Sequence, residues 1–562
     1  MTDSREVIPL KGPIHLTLEL PGSKSITNRA LLCAALAKGK SVLKGALESD
    51  DTQVMRAALS QKGSTLDLHN AGTAVRFLTA AMALRPQLTR ITGSARMQER
   101  PIGDLIEALK PLGIKVKYLK KKGFPPFEIT GIDPRTLKKP VTLKVRGDKS
   151  SQYVSALYLI LPLLPKGSRI QIVGKLTSKP YLETTRAVMK AFKGEVGKGY
   201  TAATYFVEGD ASAASYFTAL QKLHGGTLKF TNLNKKSVQG DFGFSKTLSR
   251  LGKGVIPMQD MPDVAMTLAV LAGLYIGRTK ITGLHTLKIK ETDRLRALEK
   301  ELKKVGIRAK AGKDFLEIRG GVKRDPGEPN ILIETYKDHR MAMCFAVLGS
   351  KVPGLQILDP GCVGKTYPKF WEDLERVYLA PLHLGKKDLL LTGMRGSGKT
   401  YVGKRIAKYL GRPFIDLDDE IRADQGMSIS EIVKKHGWNY FRQVEQRICS
   451  YFAGRTASPG HRYYKTPLVI ATGGGVVLDS KNMESFAKHS VNVFLFADPH
   501  TLADRVMRGE DRPPLMGKDA VEEIAKLWQM RRPLYLKFAD RVWDNTSGNV
   551  ITLELEKIFK GH

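Results

Sequence analysis

Apolar residues arrive in short bursts along this chain, each followed by a polar turn and then by a longer apolar stretch at helical spacing. Residues 8–20 alternate loosely and predict a strand. PGSKSITNR (21–29) is a polar turn, and ALLCAALAKG after it predicts a helix closed by Gly39. The order then recurs. Residues 66–69 end at NAGTAVR (70–76) and continue as an apolar helix to Leu84. Residues 96–101, 148–152 and 178–181 precede predicted helices at 102–109, 153–161 and 182–192. Beyond Val207 the series resumes, with turns at 260–263, 290–294 and 336–340 ahead of helices at 264–275, 295–305 and 341–348. LKPLGIKV (109–116) and LKKVGIRA (302–309) look alike, each a helix end, a glycine turn and a strand, and suggest an internal repeat of small α/β units.

The pattern changes near residue 388. Leu389, Leu390 and Leu391 form an apolar run fit for a buried parallel strand. Gly393-x-x-x-x-Gly398-Lys399-Thr400 follows and reads as a phosphate-binding Walker A loop, with a helix to Leu410 ended by Gly411. Gly396, Ser397 and Gly398 let backbone N–H groups curl round phosphates, Lys399 adds charge, and Thr400 can hold Mg²⁺. Residues 414–418 (FIDLD) read as a strand ending in two carboxylates on one side. Of Asp416 and Asp418, one can serve Mg²⁺, directly or through water, and the other a substrate hydroxyl. Arg442 and Glu445 stand three apart on one helix face, and Gly473–Gly475 lets backbone approach a small ligand closely.

Composition narrows the function classes. Hydrophobic content of 42% and charged content of 26% are ordinary for globular chains. No window reaches the length of a membrane span, and MTDSREVIPL has no apolar signal-peptide core. The four cysteines, Cys33, Cys344, Cys362 and Cys449, form no metal or disulfide pattern, so a reducing cytoplasm is expected. The net charge of +36 is spread through the chain without a basic tail, which argues against nucleic acid and towards small polyanions. Cations also crowd the helix starts, where the macrodipole disfavours them unless an anion lies between. Asp263 and Glu291 sit among them, and carboxylates kept amid cations are candidates for proton transfer or hydroxyl binding.

The motifs GSKSITNRALLCAALA (22–37), NAGTAVRF (70–77), RMQERPIGDL (96–105), SSQY (150–153), SKPY (178–181), GDASAASYF (209–217), MPDVAMT (261–267), KETDRLRAL (290–298), YKDHRMAMCF (336–345) and KTYP (365–368) resemble 5-enolpyruvylshikimate-3-phosphate (EPSP) synthase over about residues 8–378. The resemblance implies two lobes, each of three small α/β repeats, at 21–208 and at 1–20 plus 209–380. It implies transfer of the enolpyruvyl group of phosphoenolpyruvate to the 5-hydroxyl of shikimate 3-phosphate, with release of phosphate and no cofactor. Lys24, Gly72, Arg100, Arg294, Arg340 and Lys365 would hold phosphoenolpyruvate. Ser25, Arg29, Ser150, Ser151, Gln152, Ser178, Tyr181, Asp263 and Lys290 would hold shikimate 3-phosphate. Glu291 would protonate the methylene carbon, Asp263 would position and help deprotonate the hydroxyl, and Lys24 and Lys365 would assist phosphate departure. Gly72 leaves room for glyphosate, an inhibitor of that family. Thr286 stands where the family commonly has asparagine, and Phe77 where proline is common. The alternative front half is a UDP-sugar enolpyruvyl transferase, which usually has a cysteine in the loop that is Ser94–Arg100 here.

Residues 387–560 resemble shikimate kinase through GMRGSGKT, DLD, FRQVE, GGG (473–475), RPPL (512–515) and RRPLY (531–535). The resemblance implies a P-loop domain with a parallel sheet flanked by helices, phosphorylating the 3-hydroxyl of shikimate with ATP and Mg²⁺. Gly396, Ser397, Gly398, Lys399, Thr400, Tyr401 and Arg512 would serve ATP. Asp418, Arg442, Gly474, Gly475 and Arg531 would bind shikimate, and Lys399, Asp418 and Arg512 would be catalytic. Pro514 is one proline more than the usual lid motif. Other readings are a different small-molecule kinase or an inactive nucleotide-sensing scaffold. The expectation is thus an α/β chain with domains 1–20 plus 209–380, 21–208 and 388–562 and a linker at 381–387. A monomer whose halves act independently is expected, no docking element between them being legible.

Overall fold

The computed structural model describes residues 3–61, 64–454, 460–508 and 520–560. The turn-then-helix order of the sequence is the order of the structure. Helices Gly103–Leu109, Ser151–Ile160, Lys179–Ala191, Ala265–Leu274, Arg294–Lys304 and His339–Gly349 begin within about three residues of the predicted starts, whereas Lys24–Leu36 and Gly72–Met82 begin inside the segments read as polar turns. The first helix stops before Gly39. Ala37–Lys38 turns extended to pair in parallel with Tyr200–Thr201, and Gly39 (φ +90°) closes the turn after it.

The repeat is visible in two four-stranded sheets of one topology. Thr65–Asp67, Leu88–Thr92, Phe127–Thr130 and Lys115–Tyr118 lie side by side in that order, as do Lys253–Pro257, Gly277–Thr282, Phe315–Gly320 and Arg308–Ala311. In each sheet the first pair is parallel and the other two are antiparallel. The two look-alike segments supply the matching edge strands, turning at Gly113 (φ +89°) and Gly306 (φ +85°). Other sheets of the front half are smaller among the described residues. Among the described residues, Thr142–Arg146 pairs only with Arg169–Val173, and Ile14–Leu18 only with Gly226–Phe230.

One hydrophobic cluster gathers buried residues from Ile26 to Val207. A second takes Val7–Leu20 and Ala213–Tyr378 and continues into the C-terminal part through Leu390, Phe494 and Trp528. The C-terminal sheet is five-stranded and parallel, in the order Phe414–Asp416, Val469–Ala471, Asp388–Thr392, Ser490–Phe496, Arg541–Asp544. Every residue of Asp388–Thr392 is buried, as its apolar run requires.

The halves are docked, although no docking element is legible in the sequence. Leu382 and Leu384 pack with Leu389, Val402 and Trp543, and Leu382 N–H donates to Ile558 O (2.7 Å). Strand Ser4–Val7, paired antiparallel with Leu355–Leu358, carries Arg5 and Glu6 into contact with the C-terminal part. Arg5 bridges Glu375 (2.6 Å) and Asp544 (3.2 Å), and Arg376 pairs with Glu554 (2.7 Å). The partners lie hundreds of residues apart, so no local pattern announces them.

Candidate active sites

Helix N-termini from both sides of the front half converge on one cleft. Lys24, Ser25, Arg29, Gly72, Arg100, Ser150, Ser151, Gln152, Ser178, Tyr181, Asp263, Lys290, Glu291, Arg294 and Arg340 all line it, with Thr286 at its wall. Lys365 reaches it from the end of the turn Pro360–Lys365. Its Nζ donates to Asn70 O (3.0 Å) and lies 3.6 Å from Glu291 and 3.7 Å from Asp51.

Arg294 organises the charges. It is almost fully buried and pairs with Asp338 (2.8 Å), Glu291 (2.8 Å) and Asp263 (3.2 Å). Asp338 also caps helix His339–Gly349 by accepting from Arg340 N–H. Asp263 further meets Lys290 (3.2 Å) and Arg340 (3.4 Å), and accepts from the Tyr181 hydroxyl (2.9 Å). Burial alone would raise both acids. Lys290, Arg340 and Arg294 instead hold Asp263 well below the usual carboxylate range, and Arg294, Lys365, Arg100 and Lys24 do the same to Glu291. Burial lowers the pKa of Lys290, against the pull of Asp263.

Two groups have acceptors or donors to spare. Arg100 is buried, yet its Nε and one Nη have no hydrogen-bond partner. A buried guanidinium left so is costly unless an anion completes it. A Cβ on Gly72 would stand 2.5 Å from Arg100 Nη2, so this glycine lets the guanidinium lie over the turn. His339, also buried in the cleft, has neither ring nitrogen bonded, and burial holds it neutral. Arg29 differs. Its guanidinium is already engaged by Thr185, Ser25 O, Ser155 and Tyr181 O, with the ring of Phe77 5.2 Å away.

Sequence reasoning missed Asp51, His339 and Arg96. Asp51 pairs with Lys24 (3.1 Å), and Arg96 donates across the cleft to Glu291 O (3.1 Å) and Lys290 O (2.9 Å). Bonds to carbonyls leave no mark in a sequence. His339 could have been found, since it stands between two site residues in KDHR.

In the C-terminal part the loop between Asp388–Thr392 and helix Lys399–Leu410 has Gly393, Gly396 and Gly398 at positive φ. Lys399 Nζ donates to Gly393 O and Met394 O, both 2.9 Å, and the buried Ser397 Oγ has no hydrogen-bond partner. Asn545 braces the loop by donating to Ser397 O, and Arg505 by donating to Gly396 O. Tyr401 is half-exposed beneath the Arg405 guanidinium.

One expectation is corrected here. Asp416 ends its strand, but Asp418 lies in the first turn of helix Leu417–Gln425, because the Asp416 carboxylate caps that helix by accepting from Asp418 N–H (3.1 Å). Asp416 also accepts from Thr400 Oγ1 (2.7 Å). These two oxygens suit Mg²⁺, which is held by one or two protein ligands plus phosphate and water rather than by a cage. Among the described residues no cluster of three or more acids, histidines and cysteines suits a metal.

Asp418, Arg442 and Arg531 surround the turn Gly473–Gly475. A Cβ on Gly473 would meet Asp418 Oδ1 at 2.7 Å, and one on Gly475 would overlap the Arg442 guanidinium. Arg442 pairs with Glu445 (2.5 Å) on one helix face, as its spacing predicts, and Arg531 donates to Gly474 O (3.0 Å). Arg512 and Pro514 lie outside the described residues.

Comparison with known proteins finds a family for each half of the chain. The family model described as EPSP synthase (3-phosphoshikimate 1-carboxyvinyltransferase) matches residues 9–65, 59–257 and 250–374, and that of shikimate kinase matches residues 395–559. The chain is 39% identical over 414 residues to the 3-phosphoshikimate 1-carboxyvinyltransferase of Shewanella sediminis, covering 63% of this chain and 95% of the relative. It is 40% identical over 418 residues to that of Paraburkholderia phytofirmans, with the same coverage. The solved EPSP synthase of Acinetobacter baumannii superposes with a TM-score of 0.55 at 21% identity, over 66% of this chain and 98% of that one, which shows the fold. This chain belongs to the EPSP synthase family, and a shikimate kinase domain is joined behind it.

Proposed function

We propose that the two halves catalyse successive steps. The C-terminal part phosphorylates the 3-hydroxyl of shikimate with ATP, and the front part transfers the enolpyruvyl group of phosphoenolpyruvate to the 5-hydroxyl of the resulting shikimate 3-phosphate. The domain division is 1–20 plus 209–380, 21–208 and 388–562. The observation that carries the reading is the buried Arg100 guanidinium, short of partners among Lys24, Lys365, Arg294 and Arg340. A compact ligand with both a phosphate and a carboxylate suits such a set.

In the cleft, Lys24, Arg100, Arg294, Arg340 and Lys365 bind phosphoenolpyruvate. Ser25, Arg29, Ser150, Ser151, Gln152, Ser178, Tyr181, Asp263 and Lys290 bind the sugar-like substrate. Glu291 protonates the methylene carbon. Its pKa is low in the ligand-free cleft because Arg294, Lys365, Arg100 and Lys24 face it. Substrate phosphate and carboxylate compete for those same cations, so binding raises Glu291 towards an acid that can give up its proton. Asp263 orients the attacking hydroxyl and accepts its proton, and Lys24 and Lys365 stabilise the departing phosphate.

In the kinase site, residues 396–401 hold ATP, and Thr400 and Asp416 hold Mg²⁺, which neutralises phosphate charge when bound. Asp418 orients the 3-hydroxyl, Arg442 and Arg531 clamp the carboxylate, and Arg512 serves the transferring phosphoryl group. No helix among the described residues is long and apolar enough to cross a membrane. The four free cysteines fit a reducing cytoplasm. The test is a single reaction with shikimate, ATP, Mg²⁺ and phosphoenolpyruvate. ADP, then phosphate and the enolpyruvyl ether, are expected. Absence of ADP with shikimate, or of phosphate with added shikimate 3-phosphate, removes the corresponding half of the reading.

A further inference from the structure

Strand Ser4–Val7 and helix Ala520–Phe538 meet at a node that neither reaction uses directly. Glu6 and Arg532 are both fully buried there, 2.9 Å apart. Arg532 follows Arg531, and successive side chains on a helix diverge by about 100°. Arg531 therefore reaches Gly474 O in the kinase site, while Arg532 points into the transferase part. Arg532 Nε donates to Pro326 O (2.8 Å), one Nη to Glu328 O (2.7 Å), and the other to Glu6 and to Asn330 Oδ1. Among the described residues, each of these acceptors lies in the transferase part. The second Glu6 oxygen accepts from Trp528 Nε1 (2.7 Å), one turn earlier on the same helix, and from Asn330 Nδ2 (3.1 Å). One turn after Arg531, the Tyr535 hydroxyl donates to Gly474 O and the Tyr535 ring stacks on Phe494 at 4.8 Å.

Slippage of this helix would leave a buried charge unpaired, which strongly disfavours intermediate placements. We infer that Glu6 is a positioning residue for the kinase reaction. Through Arg532 and Trp528 it fixes the helix that presents Arg531 to the Gly473–Gly475 turn, so the transferase part completes the carboxylate clamp of the kinase site. The inference rests on the shikimate-binding role proposed for Arg531.

The test uses the full chain with Glu6→Leu and the conservative Glu6→Gln. For Glu6→Leu, the kinase KM for shikimate is expected to rise about tenfold while the KM for ATP stays within about twofold. Glu6→Gln, which keeps hydrogen-bonding groups near Trp528 and Asn330, is expected to recover most of that loss. A merely structural role would reduce the active fraction, lowering kcat and leaving both KM values alone. Hydrogen exchange on ligand-free protein is the second arm and serves if Glu6→Leu does not fold. Amides of 520–538 and 473–478 are expected to exchange modestly faster in Glu6→Gln than in wild type, because Gln keeps hydrogen bonds but not the charge opposite Arg532. An unchanged shikimate KM, or unchanged exchange in those segments, overturns the inference. If the wild type does not phosphorylate shikimate, the substrate reading fails instead, and the exchange arm alone decides whether Glu6 positions the helix.

Discussion

In the transferase cleft the charged groups hold one another, whereas in the kinase loop they hold the backbone beside them. Arg294 is shared among Asp338, Glu291 and Asp263, and Lys365 reaches from one side of the cleft to Asn70 O on the other. Lys399 instead donates to carbonyls five and six residues away. Both are anion sites at helix N-termini. The cleft needs distant segments brought together and kept charge-balanced before it exists. The loop exists once one strand, three glycines and one helix form. Damage to the cleft should therefore spread among its members, and damage to the loop should stay local.

The sharpest way to break this comparison is to remove one member of each site. Lys399→Ala is expected to lower kinase turnover at least about 1,000-fold and to spare transfer from added shikimate 3-phosphate. Asp263→Ala should do the reverse. Glu291→Gln should cost the transferase about 1,000-fold while calorimetric titration still detects shikimate 3-phosphate binding. Near-normal phosphate release by that variant would take Glu291 out of the chemistry.

A smaller effect is expected where the cleft is crowded rather than charged. Gly72→Ala drives a methyl group against Arg100. It should raise the KM for phosphoenolpyruvate about tenfold and raise the glyphosate inhibition constant more. Inhibition curves for both proteins check this, and a glyphosate-resistant wild type would contradict it. Docking of the halves does not by itself make a tunnel. An equimolar mixture of Lys399→Ala and Asp263→Ala should then reach a steady flux within about twofold of wild type after a lag. A mixture far slower than a lag-free wild type would mean direct transfer between the sites.

The smallest effect belongs to the interface. Burial and the neighbouring Asp544 push Glu375 up to about 7, against the pull of Arg5, so the folded chain keeps a proton there that the unfolded chain loses near its ordinary value. The folded state binds more protons between those values, and stability contributed by this group falls as pH rises through them. Relative to Glu375→Gln, wild type is expected to lose about 3 kcal/mol between pH 4.5 and 7.5, read by urea unfolding at each pH. A pH-independent difference would mean that Glu375 is ionised throughout.

The sequence by itself determined the local pieces. It predicted the polar turns and the helices they start, the Walker loop, the Arg442–Glu445 pair and the look-alike edge strands at Lys115–Tyr118 and Arg308–Ala311, because each depends on neighbours a few residues away. The cleft residues were legible as motifs, since helix starts keep their polar residues together even when the helices are far apart. The tertiary structure alone decided which carboxylate Arg294 binds, that Asp416 caps the helix carrying Asp418, and that two of the small units are four-stranded while others stop at two. It alone decided the docking of Glu6 on Arg532, across 526 positions. Such a pair has no period and no composition. It exists because a buried charge must find a counterion, and only the folded arrangement of the two halves says which one is near.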